Sequence, residues 1–394
     1  MIYREISKII LKDINYYSVL GIIGPRQSGK TTLVKDLFPN MVYTNMEDLS
    51  QREFAETDPK MFLNQGNNGM IIDEVQRVPA LLSYIQTIVD EKKVPGMYVI
   101  TGSQNLLLME QVSQTLAGRI SLFTLMPLSL SELYSDGGRI PHINQILYEG
   151  FYPGIHSRNF EPGRYFRNYI QTYLERDVRQ VKHITNLSMF QNFVKLCAGR
   201  VGQIVNYSSI GDDLGVSYNT IKSWLSVLET SFIIQPLRPY FKNFNKQIIK
   251  MPKLYFNDTG LLCSLLGIDQ PDKINNHYLK GGIFENLIVS EFIKYYMNTG
   301  QESPLFFWRD KRGREIDLII DRSLDRIAIE IKSGSTFSSG FLKNLSYYCT
   351  LDNTCDASKS YVIYGGSERQ SRSNGKVRSW HSLTNIRDEF FIDS

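Results

Sequence analysis

The stretch Gly24-Pro25-Arg26-Gln27-Ser28-Gly29-Lys30-Thr31 separates two glycines by four residues and follows them at once with a lysine and a hydroxyl. A loop that wraps a phosphate chain needs this arrangement. The glycines let backbone N–H groups close round the phosphate oxygens, and the N-terminus of the following helix adds a favourable dipole. Lys30 is then placed to reach β- and γ-phosphates and Thr31 to ligate Mg2+, with Thr32 beside it. The chemistry is nucleotide binding, with ATP and Mg2+ as the expected cofactors.

A second element must supply the acid that holds the metal. Met70-Ile71-Ile72-Asp73-Glu74 is an apolar run ending in two carboxylates. Asp73 is expected to bind Mg2+ through water, and Glu74 to orient or deprotonate the attacking water. The next apolar run ends in Thr101-Gly102-Ser103-Gln104, where Ser103, or Gln104 after it, could sense the γ-phosphate. Arg119 is a candidate arginine finger, acting within its own subunit or on a neighbour. The alternative is a helix-end arginine facing water.

A separate constellation lies near the C-terminus, in Arg314-Glu315-Ile316-Asp317 and Ile329-Glu330-Ile331-Lys332. On a strand, residues two apart face the same side, so Glu330 and Lys332 project together. If the two runs form a hairpin, Asp317 meets them and one Mg2+ can sit between the carboxylates, with Lys332 positioning water. An acid set among isoleucines is costly to bury without a cation. The alternative is a Glu330–Lys332 pair on the solvated face of an edge strand. Upstream, Glu285 lies on an amphipathic stretch, 282–292, and could complete the metal site; Glu291 is the less favoured choice.

These residues need elements to hold them. Residues 1 to about 155 alternate short, nearly continuous apolar runs (18–23, 41–44, 70–72, 97–101) with amphipathic stretches, the rhythm of a parallel α/β sheet covered on both faces. From about 160 to 240 the pattern is helical. There Tyr207 to Leu225 reads as helix, tight turn and helix, with Gly215 in the turn and Ser217 as an N-cap. Phe232 to Leu237 resembles the first strand of a wing, so a winged helix is expected. Its second helix offers only Lys222 as a cation, which is few for a helix that must neutralise phosphates. The last third returns to α/β, with 318–320 and 327–331 as strands and 365–375 as an exposed loop.

The chain has 394 residues, 42% hydrophobic and 21% charged, with a net charge of +4. That length predicts two or three domains, and the composition argues against long disorder. The mild basic excess permits DNA as a partner without arguing for it. The four cysteines share no C-x-x-C spacing and the five histidines no ligand spacing, so free thiols in a reducing cytoplasm are expected. Neither a signal peptide nor a membrane span is expected.

Together these motifs resemble prokaryotic AAA-like ATPases with a C-terminal domain of unknown function, DUF4143. The resemblance runs from Gly21 through the phosphate loop, 72–74, 101–103, 116–119 and 127–129, then through 255–261, 284–286, 315–317 and 330–332. It implies a multidomain α/β chain: a P-loop AAA-like ATPase over residues 1–158, a helical linker and winged helix over 159–250, and a restriction-endonuclease-like PD-(D/E)xK domain over 251–394. The Pro-Asp of that nuclease name is Ile316-Asp317 here. The expected function is ATP hydrolysis coupled to DNA binding or processing, or an ATP switch with a catalytically silent nuclease fold. Self-assembly into a homo-oligomer is compatible with either.

Overall fold

The computed structural model describes residues 2–66, 68–102, 114–134, 139–174, 186–240, 251–323 and 325–391. The chain divides into two compact units. Unit 1 comprises residues 1–128, 230–232 and 296–301, and unit 2 comprises 129–229, 233–295 and 302–394.

Unit 1 is built on five strands: β1 (Val19–Ile23), β2 (Val42–Asn45), β3 (Met70–Asp73), β4 (Tyr98–Gly102) and β5 (Ile120–Thr124). They form one sheet in the order β2-β3-β4-β1-β5, parallel at each pairing. Strands β1, β3 and β4 are buried along their whole length, which explains why they read as uninterrupted apolar runs. Expected strands 18–23, 70–72 and 97–101 correspond to them within a residue. Strand β2 differs, because it is the sheet edge and half-exposed rather than covered on both faces. Strand β5 was not foreseen; its mixture Ile120-Ser121-Leu122-Phe123-Thr124 is mostly half-buried and carries a weak strand signal. Register sets Ile23 beside Gly102 and Ile72 beside Ile100, so the C-terminal ends of β1, β3 and β4 converge at one edge. That edge carries the phosphate loop.

Unit 2 begins with helices, among them Leu187–Ala198, Tyr207–Leu214 and Tyr218–Thr230. Trp224 packs edge-on against Phe190 and tilted against Phe193. Gly215 ends the second of these helices with φ 67°, and the Ser217 hydroxyl caps the third by accepting from Thr220 N–H at 3.1 Å. Two antiparallel strands follow, β6 (Ile234–Leu237) and β7 (Lys253–Phe256).

The remaining strands are β8 (Leu305–Arg309), β9 (Glu315–Asp321), β10 (Arg326–Lys332), β11 (Tyr361–Tyr364), β12 (Gln370–Arg372) and β13 (Gly375–Ser379). They make a six-stranded sheet in the order β12-β13-β11-β10-β9-β8. Strands β8, β9 and β10 pair antiparallel, and β10 pairs with β11 in parallel. Leu345 and Tyr348 of helix Lys343–Leu351 share a buried cluster with Ile319, Ala328 and Val362 of the sheet. The stretch 365–375, expected as a loop, contains β12 and its turn into β13. No helix among the described residues is long and apolar enough to cross a membrane.

Candidate functional site

The phosphate loop of unit 1 leaves β1 through Gly24, whose φ is 148° and whose Cα lies against β5's exit. A Cβ there would meet the Leu125 carbonyl oxygen at 2.2 Å, so only glycine fits. Gln27 (φ 60°) and Gly29 (φ 95°) take left-handed conformations further along, and helix Lys30–Leu37 starts immediately after. The result is a turn of backbone ahead of a helix N-terminus, as anion binding requires. Arg4 braces it by donating to the Ser28 carbonyl at 2.9 Å and the Met126 carbonyl at 2.6 Å.

Lys30 is buried and donates to the carbonyls of Gly24 (3.0 Å) and Pro25 (2.8 Å). The Thr31 hydroxyl donates to Asp73 Oδ2 at 2.7 Å, and Tyr43 OH reaches the same oxygen at 2.7 Å. Burial, then that hydrogen bond to Asp73, pushes the Tyr43 phenol up, so it stays a donor. The Thr101 hydroxyl donates to the other oxygen, Asp73 Oδ1, and accepts from Glu74 N–H at 3.3 Å. Glu74 itself sits in the left-handed region (φ 57°, ψ 45°), a conformation that a side chain of this type adopts where the surroundings hold it. Its carboxylate accepts from the Gln76 amide.

Does this set fit ATP and Mg2+? The loop presents donors and a lysine, and Ser28 Oγ is buried with no hydrogen-bond partner, an orphaned group inside the cradle. Thr31 and Asp73 are a hydroxyl and a carboxylate already in contact, the hard oxygen donors that Mg2+ prefers. The residues fit. Pro25, Arg26 and Thr32 belong to the same loop and helix start. Ser103 and Gln104 lie outside the described residues. The polar strand-end group that contacts Asp73 is Thr101, two residues before Ser103.

Arg119 is elsewhere. Its carbonyl accepts from Val19 N–H at 3.1 Å, which places it at the start of β1, while the phosphate loop leaves the end of that strand. Four residue steps at roughly 3.3 Å each separate the two ends by about 13 Å. Its guanidinium forks onto exposed Asp90, with Nε–Oδ1 at 2.5 Å and Nη2–Oδ2 at 2.8 Å.

In unit 2, β9 and β10 form a hairpin whose register pairs Leu318 with Ile329. One residue beyond that pairing on each strand come Asp317 and Glu330. Asp317 Oδ2 accepts from Ile331 N–H at 2.8 Å and lies 3.6 Å from Lys332 Nζ. Lys332 bonds Glu330 Oε1 at 2.8 Å, and the Asn344 amide reaches that oxygen at 3.2 Å. Glu330 is buried, and its Oε2 has no hydrogen-bond partner. Burial, reinforced by the Asp317 charge, raises the Glu330 pKa despite Lys332. Asp317, Glu330 and Lys332 are therefore brought together.

No local sequence motif marks Lys253, at the start of β7. Its side chain is only 1% exposed. Nζ bonds Glu285 Oε1 at 2.8 Å, pairs with Glu315 Oε1, and lies 3.7 Å from Asp317 Oδ1. Tyr255 OH donates to the same Glu285 oxygen at 2.5 Å. Burial alone would pull the Lys253 pKa down, but Tyr255, Glu285, Asp317 and Glu315 together hold it well above the ordinary lysine value. Burial raises the Glu285 pKa, with Lys253 opposing. The carboxylates of Glu285, Glu315 and Asp317 present oxygens within 4.8 Å of one another. Glu285 thus joins Asp317, as expected of a third acid, but through a lysine and with Glu315 rather than Glu330. Glu291 is remote from this cluster; it pairs with Lys294 at 2.7 Å and accepts from Leu130 N–H at 2.7 Å.

The chain is similar to known families and proteins. Residues 16–134 match the family described as AAA domain, residues 140–272 a domain of unknown function (DUF8612), and residues 280–383 a domain of unknown function (DUF4143). An uncharacterized protein of Mycobacterium tuberculosis is 29% identical over 338 residues, covering 84% of this chain and 74% of its own length. An uncharacterized protein of Haemophilus influenzae is 23% identical over 369 residues, covering 84% of this chain and 86% of its own. Among solved structures, the Walker-type ATPase of Pyrococcus abyssi aligns with a TM-score of 0.45 at 14% identity, over 66% of this chain and 94% of that one.

Proposed function

We propose, for a chain that carries an ATP-binding domain of the AAA kind and a DUF4143 domain, that unit 1 hydrolyses ATP with Mg2+ and that unit 2 uses a nuclease-like fold to hold DNA without cutting it. The observation that carries the first half is the 2.7 Å hydrogen bond from Thr31 to Asp73, which joins the phosphate loop to the acid at the end of β3. Mg2+, when bound, supplies charge neutralisation at the phosphates, and Thr31 and Asp73 are the residues to hold it.

The chain's own groups do the rest. Lys30 exchanges the carbonyls of Gly24 and Pro25 for phosphate oxygens, a swap of neutral acceptors for charged ones that favours binding. Thr101 and Tyr43 fix the Asp73 carboxylate by donating to its two oxygens. Glu74, beside Asp73 on the same edge, orients the attacking water and takes its proton. Arg119 reaches a nucleotide only on a second copy of the chain.

For unit 2, the hairpin of β9 and β10 flanked by β8 and β11 supports the reading of a PD-(D/E)xK nuclease-like sheet, and the helix pair 207–230 with β6 and β7 supports a winged helix. The position of Lys253 among the acids favours a fold that does not cut. The convergence of Asp317, Glu330 and Lys332 favours the second reading, an ATP-coupled nuclease. A nuclease assay with Mg2+ or Mn2+ on linear, single-stranded and four-way-junction DNA separates them, using wild type, Lys30→Ala and Asp317→Ala. The non-cutting reading expects DNA retained and uncut by all three; cutting by wild type that disappears in Asp317→Ala establishes the nuclease.

A further inference from the structure

The sequence pattern places a divalent ion at Asp317, Glu330 and Glu285, and the cluster of acids round Asp317 either fits such an ion or does not. In size it suits a small divalent ion, since its three nearest carboxylate oxygens lie within 4.8 Å of one another and Mg2+–oxygen distances are about 2.1 Å. Its occupancy by a side chain does not. The Lys253 ammonium is 2.8 Å from Glu285 Oε1, in contact with Glu315 Oε1, and 3.7 Å from Asp317 Oδ1. An ion bound to those same oxygens would stand against a positive nitrogen whose burial keeps bulk solvent from screening it.

Two further oxygens of the cluster also have partners. Glu315 Oε2 faces Arg309 at 3.3 Å, and Asp317 Oδ2 accepts from Ile331 N–H. Glu330 Oε2 is a buried acceptor with no hydrogen-bond partner, and it belongs to the Lys332 side of the hairpin.

We infer that Lys253 is the resident cation of this cluster: a tethered ammonium that takes the place of a divalent ion among Glu285, Glu315 and Asp317, so that the native chain binds no Mg2+ or Mn2+ there. The inference rests on reading unit 2 as a nuclease-like fold that does not cut, and it supplies the physical reason for that silence. Lys253 opens β7, where Lys253, Leu254, Tyr255 and Phe256 are all buried, so its ammonium is fixed by the strand and not free to swing into solvent. The positive charge is built into the fold, and metal binding would have to expel it.

The test is Mn2+ titration of the nucleotide-free full chain, followed by calorimetry and by the thermal midpoint with and without Mn2+. Every protein carries Asp73→Asn so that unit 1 contributes no ion. With Lys253 present, no saturable binding is expected at millimolar Mn2+. Lys253→Met is expected to bind one Mn2+ at least about tenfold tighter, because a full positive charge has left the site, and to gain thermal stability from it. Adding Glu315→Gln to Lys253→Met removes both effects.

Saturable Mn2+ binding by the Lys253 protein that Glu315→Gln abolishes overturns the inference, as does a folded Lys253→Met protein that gains no Mn2+ affinity. If Lys253→Met stays unfolded even in Mn2+, the titration of the Lys253 protein and its Glu315→Gln partner decides alone. Failure of the non-cutting reading shows up differently, as Asp317-dependent DNA cleavage, which this titration does not measure.

Discussion

Lys30 and Lys253 are both buried lysines, 6% and 1% exposed, yet their surroundings give them opposite roles. Lys30 donates to backbone carbonyls of its own loop, beside a helix N-terminus and an unsatisfied serine hydroxyl. Lys253 is clamped by Glu285, Glu315 and Asp317. An ammonium on neutral carbonyls gains when an anion arrives, because charge-assisted hydrogen bonds are roughly twice as strong as neutral ones. An ammonium among carboxylates has nothing further to gain, and removing it leaves buried acids uncompensated. The first lysine is poised for a ligand and the second completes the fold. A buried lysine therefore tells little by itself; the charge of what it touches decides between function and structure.

The sharpest way to break this contrast is to delete each ammonium in turn. Lys253→Met should destabilise unit 2 by about 3–5 kcal/mol, the usual cost of leaving one side of a buried ion pair unpaired. Urea unfolding of the full chain checks it, and a loss below about 1 kcal/mol, the range of exposed pairs, would place Lys253 with surface lysines instead. Lys30→Ala should reverse the pattern. Phosphate release should fall by about 10²–10³, as when a transition-state donor is lost, with the thermal midpoint close to wild type.

A smaller effect probes what holds the loop that Lys30 serves. Arg4→Ala removes a buried guanidinium from the Ser28 and Met126 carbonyls and should cost about 1.5–3 kcal/mol. It should also raise the KM for ATP, since the loop loses its brace. The smallest effect is expected at Arg119, whose partner is exposed Asp90. Arg119→Ala should leave phosphate release unchanged at dilutions where copies separate, and a loss there would bring Arg119 to its own subunit's nucleotide.

The contrast also explains what could be read from the residues alone. The phosphate loop, β3 with its acids, and the β9–β10 hairpin were legible because each is a local pattern: glycine spacing, an apolar run ending in carboxylates, residues two apart on a strand. Lys253 was not, because its partners lie on helix Lys280–Asn298 and strand β9, and periodicity says nothing about which distant charge a buried lysine meets. A lysine leading an otherwise apolar strand was the available sign, since burying it demands acids. Arg4 escaped for the same reason; its acceptors are backbone carbonyls 24 and 122 residues away, which no side-chain motif records. Strand β5 escaped because its half-buried residues dilute the apolar signal.

The most direct test of the account is ATP turnover by the full chain, with nucleotide binding measured on the same samples for wild type and Glu74→Gln. Glu74 follows Asp73 at the end of β3 and is proposed to act on the attacking water, so its amide should bind ATP as wild type does. Phosphate release should drop by about 10²–10⁴, the usual contribution of a general base. Wild-type protein that binds ATP with Mg2+ but releases no phosphate, or a Glu74→Gln protein that turns over at the wild-type rate, would contradict it.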